Sequence, residues 1–106
     1  MGEVGRKYDE GKAPLTMIPR EALEQTASVL AFGAKKYGRD NYKAGLEYTR
    51  LADAVMRHLV AWVNGEDIDP ESNYSHLAHA LAGLSMLIWM ENNREDCDDR
   101  YKPTKD

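Results

Sequence analysis

An all-α fold is predicted for this chain by three observations. Apolar residues recur three and four apart in three successive segments, which is the period of a buried helix face. Each segment is bounded by proline, threonine, aspartate or glycine at places that suit helix ends. No alternating apolar–polar run reaches a useful strand length.

The elements follow in order. Residues 1–18 hold Gly2, Gly5, Gly11 and Pro14 with mixed charge, and read as an extended arm. Leu15, Met17 and Ile18 give that arm an apolar end expected to dock on the body. The first helix is expected near 20–37. Pro19 suits its first position, where a missing N–H costs nothing, and Leu23, Ala27, Leu30, Ala34 and Tyr37 form its apolar stripe. Lys35 and Lys36 complement the helix dipole, and Gly38 suits the stop. Residues 38–47 read as a loop. The second helix is expected near 49–64, with Thr49 as cap, Leu51, Val55, Leu59, Trp62 and Val63 as the apolar face, and Gly65 as the stop. The third is expected near 70–92, started by Asp69-Pro70-Glu71 as cap, first-position proline and first-turn acid. It carries two stripes, one of Leu77, Leu81, Leu84 and Ile88 and one of His76, His79, Gly83, Met86 and Met90. One stripe can pack within the subunit; the other, with small and polar residues, can line a cleft or an interface. Residues 93–106 are charged and expected to be frayed or disordered.

Composition narrows the function. The 106 residues make one domain, 42% hydrophobic and 30% charged, of the soluble globular class. A helical domain this small is expected to complete its core by forming a homodimer or homotetramer. A net charge of −4 argues against a nucleic-acid polymer as partner. Cys97 is the one cysteine, so no internal disulfide and no zinc finger can form. The apolar run from Ala80 to Met90 is broken by Gly83 and Ser85 and falls short of the roughly 20 residues that span a bilayer. No signal peptide is visible, and a cytoplasmic place is expected.

The chemistry concentrates in one stretch. His58, His76 and His79 all lie within 22 residues. His76 and His79 are three apart and share one helix face about a turn apart, a spacing that can bind a metal or move protons near neutral pH. The plain alternative is a packed, hydrogen-bonded pair in a helix interface. His58 points toward the apolar face of its helix, where a buried imidazole must find partners. Asp53 and Arg57 are either an exposed helix ion pair or a metal ligand and a phosphate contact. Asp69 reads first as a cap, Glu66 and Asp67 as solvated turn residues, and Glu71 as a first-turn acid able to reach the site. Lys35, Lys36, Tyr37, Arg39 and Asn41, with Lys12 in the arm, are candidates to hold phosphates and stack on a base. No Walker loop, dinucleotide fingerprint or nucleophile elbow is present.

Taken in order, Lys7-Tyr8-Asp9-Glu10-Gly11-Lys12-Ala13-Pro14, Gly33-Ala34-Lys35-Lys36-Tyr37-Gly38, Asn41-Tyr42, Gly45, Arg57-His58, Gly65-Glu66, Asp69-Pro70-Glu71-Ser72 and His76-Leu77-Ala78-His79-Ala80 resemble the phage-associated dATP/dGTP diphosphohydrolase N-terminal domain family, over about residues 6–90. That resemblance extends to the MazG-like all-α NTP pyrophosphatases. It implies a helical, oligomeric enzyme that uses Mg²⁺ or Mn²⁺ to split a purine (deoxy)nucleoside triphosphate into monophosphate and pyrophosphate. For a phage-encoded chain it implies the host cytoplasm. One departure stands out. The MazG-like EExxE and ExxD acids are absent; helix two offers Asp53 and Arg57, and His76 and His79 fall where ExxD would. Imidazoles in place of carboxylates favour another transition metal, or none.

The expected site therefore has His58, His76, His79 and Glu71 as catalytic groups. Asp53, His76 and His79 are the expected metal ligands. Lys12, Lys35, Lys36, Tyr37, Arg39, Asn41 and Arg57 are expected to bind substrate. Two other classes remain open. A non-catalytic helical oligomerisation module would use the histidine stripe as interface. An HD-type phosphohydrolase needs an adjacent His-Asp pair, and no histidine here is followed by aspartate.

Overall fold

The computed structural model describes residues 5, 6 and 8–103. Three helices carry it: α1, Arg20–Tyr37; α2, Tyr48–Val63; and α3, His76–Asn93. Short 3-10 turns lie at Leu15–Met17, Asn41–Ala44 and Glu95–Cys97. Among the described residues there is no strand, only an isolated antiparallel bridge between Ile68 and Ser75. The all-α expectation holds. No described helix is long and apolar enough to cross a membrane.

α3 packs against both α1 and α2. It does so with its small residues: Ala78, Ala80, Ala82 and Gly83 are buried, and they let neighbouring backbones come close. Val29 of α1 meets Ala78 and Ala82, with Tyr74 packed beside them. Tyr48 and Leu51 of α2 meet Met90. A Cβ on Gly83 would stand 2.5 Å from Cγ2 of Val55. Gly83→Ala would gain about 0.5–1 kcal/mol of helix propensity. Overpacking in a closed contact costs about 1–3 kcal/mol and outweighs it. We expect net destabilisation in urea melts, with rescue when Val55→Ala is added. Equal cost in both backgrounds would refute the contact.

The packed faces differ from those expected. The Leu77, Leu81, Leu84 and Ile88 stripe points outward, each residue 39–60% exposed, while the small-residue stripe is the interior one. Shape decides this: Gly and Ala admit a close helix approach that leucines would block. On α1, Leu23, Leu30 and Tyr37 are exposed and Val29 is the buried residue. Leu59, Trp62 and Val63 of α2 are exposed as well.

The ends of the elements also differ. Pro19 is the cap residue of α1 rather than its first helical position. α3 begins at His76, not near 70, because Ser75 accepts the Leu77 N–H and takes the cap. Thr49 does not cap α2; it lies in the first turn. Asp99 from the C-terminal segment accepts the Thr49 N–H at 3.0 Å and its hydroxyl. The hydroxyl and N–H of Thr49 hold the Asp99 carboxyl below the usual range. The expected frayed tail is thus docked as far as Arg100, whose guanidinium lies over the Tyr48 ring, while residues 101–103 are exposed. Arg94 donates to the Lys43 carbonyl at 2.8 Å, and Tyr48 donates to the carbonyls of Met90 and Arg94. Residues 104–106 lie outside the described residues, as do 1–4 and Lys7 of the arm. The described arm does not dock on the body: Leu15 and Met17 are 71% and 78% exposed.

Candidate functional site

The site lies where the end of α2, the 64–75 connection and the start of α3 meet. Gly65, at φ 97, turns the chain out of α2 in a conformation that suits glycine. The connection then doubles back on itself. Asp69 N–H donates to the Tyr74 carbonyl at 2.8 Å, His76 N–H to the Asp67 carbonyl at 3.0 Å, and Asn73 takes a left-handed φ of 65. Asp69 closes a local turn by accepting from the Glu71 N–H and the Ser72 hydroxyl. That turn aims the Asp69 carboxylate at α3 instead of capping it.

All three histidines converge. Nδ1 of His58 lies 2.9 Å from Nδ1 of His76. Nε2 of His76 lies 2.6 Å from Oε1 of Glu66. The His58 and His79 rings stack, with centroids 4.4 Å apart and planes 7° from parallel. Nε2 of His79 is 2.6 Å from the Ser72 hydroxyl and 3.4 Å from Oδ2 of Asp69. His76 is buried, and His58, Asp69, Ser72 and His79 are half-buried.

Burial, then the neighbouring His79 and His76, pulls His58 below the ordinary imidazole range. Burial also lowers His79, against the opposing charge of Asp69. Burial alone would raise Asp69, but the Glu71 N–H, the Ser72 hydroxyl and the histidines outweigh it and hold the carboxyl low. The cleft near neutral pH thus offers unprotonated His58 and His79 imidazoles beside an ionised carboxylate, an electron-pair-rich set. It suits a cation or an acceptor of protons from water.

Donor atoms of His58, Asp69 and His79 all lie within 4.8 Å of one another. Two expected metal ligands are not among them. Asp53 is exposed on α2 and outside this group. His76 is close to it but spends both ring nitrogens on His58 and Glu66. Asp69 is aimed into the cleft rather than capping a helix, and Glu66 is the partner of a buried histidine, not merely solvated. Ser72 was not singled out by its sequence context. Ser75 immediately before His76 signals a cap that frees the preceding residues to form a loop, but it does not assign these three their roles in it.

Of the expected phosphate contacts, Lys36 reaches the connection, 3.8 Å from Glu71, with its ammonium also 5.2 Å from the Tyr37 ring centre. Glu71 itself is exposed. Arg57 is exposed and adjoins His58 in the chain. Lys12, Lys35, Tyr37, Arg39 and Asn41 are exposed, and no side-chain contact among the described residues links them to the cluster.

Residues 2–100 match the family described as dATP/dGTP diphosphohydrolase, N-terminal. The dATP/dGTP diphosphohydrolase of Salmonella phage PMBT28 is 47% identical over 96 residues, covering 91% of this chain and 33% of that protein. The chain thus spans about a third of the length of the curated relative it matches. No solved structure matches.

Proposed function

We propose, for a chain that belongs to the dATP/dGTP diphosphohydrolase N-terminal family, that the histidine–carboxylate cleft hydrolyses a purine deoxynucleoside triphosphate with a divalent cation, Mg²⁺, Mn²⁺ or another transition ion. The observation that carries this reading is the convergence of His58, His76, His79 and Asp69, with Lys36 3.8 Å from Glu71 on the adjoining connection. Water attacks the α-phosphorus, the bond to the bridging oxygen breaks, and monophosphate and pyrophosphate leave. The water proton needs a base that is unprotonated at working pH; an imidazole of the cleft that the cation leaves free, or Glu71 at the rim, serves. Negative charge grows on the phosphoryl oxygens and must be offset. A cation in the cleft would supply Lewis-acid charge for this. Lys36 and Arg57 are assigned to phosphate oxygens, and Lys12, Lys35, Tyr37, Arg39 and Asn41 to the outer phosphates and the base.

A second reading, a non-catalytic oligomerisation module, draws on a different observation. Apolar side chains stand exposed on all three helices, among them Leu23, Leu30, Trp62, Val63, Leu84 and Ile88. Surface of that kind marks contact with another chain, and we infer a homodimer or homotetramer under either reading. Product analysis over a deoxynucleotide panel with Mg²⁺, Mn²⁺ and Co²⁺, run with light scattering on the same sample, separates the two. We expect pyrophosphate from dATP or dGTP and a dimeric or tetrameric mass. An oligomer that turns over no nucleotide selects the interaction module; a stable monomer at micromolar concentration removes the assembly.

A further inference from the structure

The geometry points to a built site for one first-row transition-metal ion, with His58, Asp69 and His79 as its protein ligands and Glu66 and His76 as the residues that orient them. This rests on the proposed function only in sharing its cleft, and it names the cation and its ligands.

The first argument is spacing. Ligand atoms bound about 2.0–2.2 Å from a tetrahedral ion sit about 3.3–3.6 Å from each other. Oδ2 of Asp69 and Nε2 of His79 are already 3.4 Å apart. The His58 donor lies within 4.8 Å of the others, so closing on an ion draws it in by roughly 1 Å. The His58 and His79 rings lie face to face, so their in-plane lone pairs run side by side and one ring turns for both to reach a common ion.

The second argument is the proton order along a chain of hydrogen bonds. The Glu66 carboxylate can only accept, so Nε2 of His76 carries the hydrogen of the 2.6 Å contact. With a single ring proton on His76, its Nδ1 is an acceptor. Nδ1 of His58, 2.9 Å away, must then donate. That leaves Nε2 of His58 with its lone pair and no proton, the form in which imidazole binds a metal. A carboxylate behind a ligating histidine fixes its tautomer and ring angle; here the carboxylate acts through one intervening imidazole. In the other half the Ser72 hydroxyl contacts Oδ2 of Asp69 and Nε2 of His79, the two atoms an ion would take, so it holds them together and must turn aside as the ion enters.

The third argument is donor type. Mg²⁺ prefers oxygen ligands and retains its waters, and Mn²⁺ also favours oxygen, whereas imidazole suits later first-row ions such as Co²⁺, Ni²⁺ or Zn²⁺. Two nitrogens and one carboxylate oxygen leave coordination positions open, as in sites where water or substrate also binds the ion.

The test titrates the full chain with Mn²⁺, Co²⁺, Zn²⁺ and Mg²⁺ alone, by calorimetry and by the visible absorption of bound Co²⁺. We expect one ion per chain, a Co²⁺ spectrum with nitrogen ligation, and Mg²⁺ binding at least about tenfold weaker. His58→Ala and Asp69→Asn should abolish the Co²⁺ spectrum with the helical circular dichroism retained; the asparagine keeps an acceptor for the Glu71 N–H. Glu66→Gln should keep the spectrum and weaken affinity about 10–100-fold. Absence of binding by the native chain, or an unchanged spectrum in both ligand variants, overturns the site. No nucleotide enters these measurements. A chain that binds Co²⁺ but hydrolyses nothing keeps this site and loses the proposed function; a hydrolase that binds no Co²⁺ does the reverse.

Discussion

Alanine in place of His79 is expected to cut kcat/KM for the deoxynucleotide by about 10²–10⁴, or roughly 3–5 kcal/mol of transition-state stabilisation. The helical spectrum should persist, because alanine is the best helix former and His79 sits one turn inside α3. Three things go at once. The cleft loses a nitrogen donor, His58 loses the ring stacked on it, and Ser72 and Asp69 lose their common partner. Steady-state kinetics on dATP and dGTP, with circular dichroism as control, measure it. Turnover within tenfold of the native chain would remove His79 from the reaction.

The largest effect on stability is expected from Met90→Ala. Met90 is fully buried among Tyr48 and Leu51, with Tyr42, Leu46, Leu87, Trp89 and Cys97 around it. Truncating such a side chain removes its burial energy and leaves a cavity, together about 2–5 kcal/mol. That is a large share of the roughly 5–15 kcal/mol that holds a domain folded. The cluster also holds the C-terminal segment, since Tyr48 donates to the Met90 and Arg94 carbonyls. Urea unfolding followed by circular dichroism should show the loss as an earlier midpoint. A change under about 1 kcal/mol would mean that this cluster is not the principal contact between α2 and α3.

Much of the helical layout was legible because it depends on local rules. Periodicity located all three helices, and Gly38 and Gly65 stand at two of their ends. Side-chain packing was less legible. α3 has two apolar stripes, and periodicity cannot say which of them faces inward. Gly83 against Val55 settles that, through a steric fit between segments far apart in sequence. The histidine convergence was readable from the HxxH pair and from His58 on an apolar face. The acids were not. Asp69 followed by proline looks like a helix start, yet Ser75 takes the cap and the intervening residues fold into a doubled-back loop. Loop geometry has no period, so the roles of Glu66, Asp69 and Ser72 had no pattern to reveal them. Asp53 was misplaced for a related reason: helical spacing gives its direction on α2 but not which side of α2 carries the site.

The cluster draws all its side chains from residues 58–79, the span joined by the doubled-back loop. This has a kinetic consequence. Contacts between residues close in sequence form with little loss of loop entropy, and each doubling of loop length adds only about 0.6 kcal/mol. Low contact order of this kind favours rapid formation. The cleft is thus expected to assemble as the α2–α3 hairpin closes, ahead of the longer-range docking of α1. Segments joined on either side of that hairpin can then change in length or identity without having to rebuild the cleft, which suits a unit found both in this chain and within a relative about three times as long.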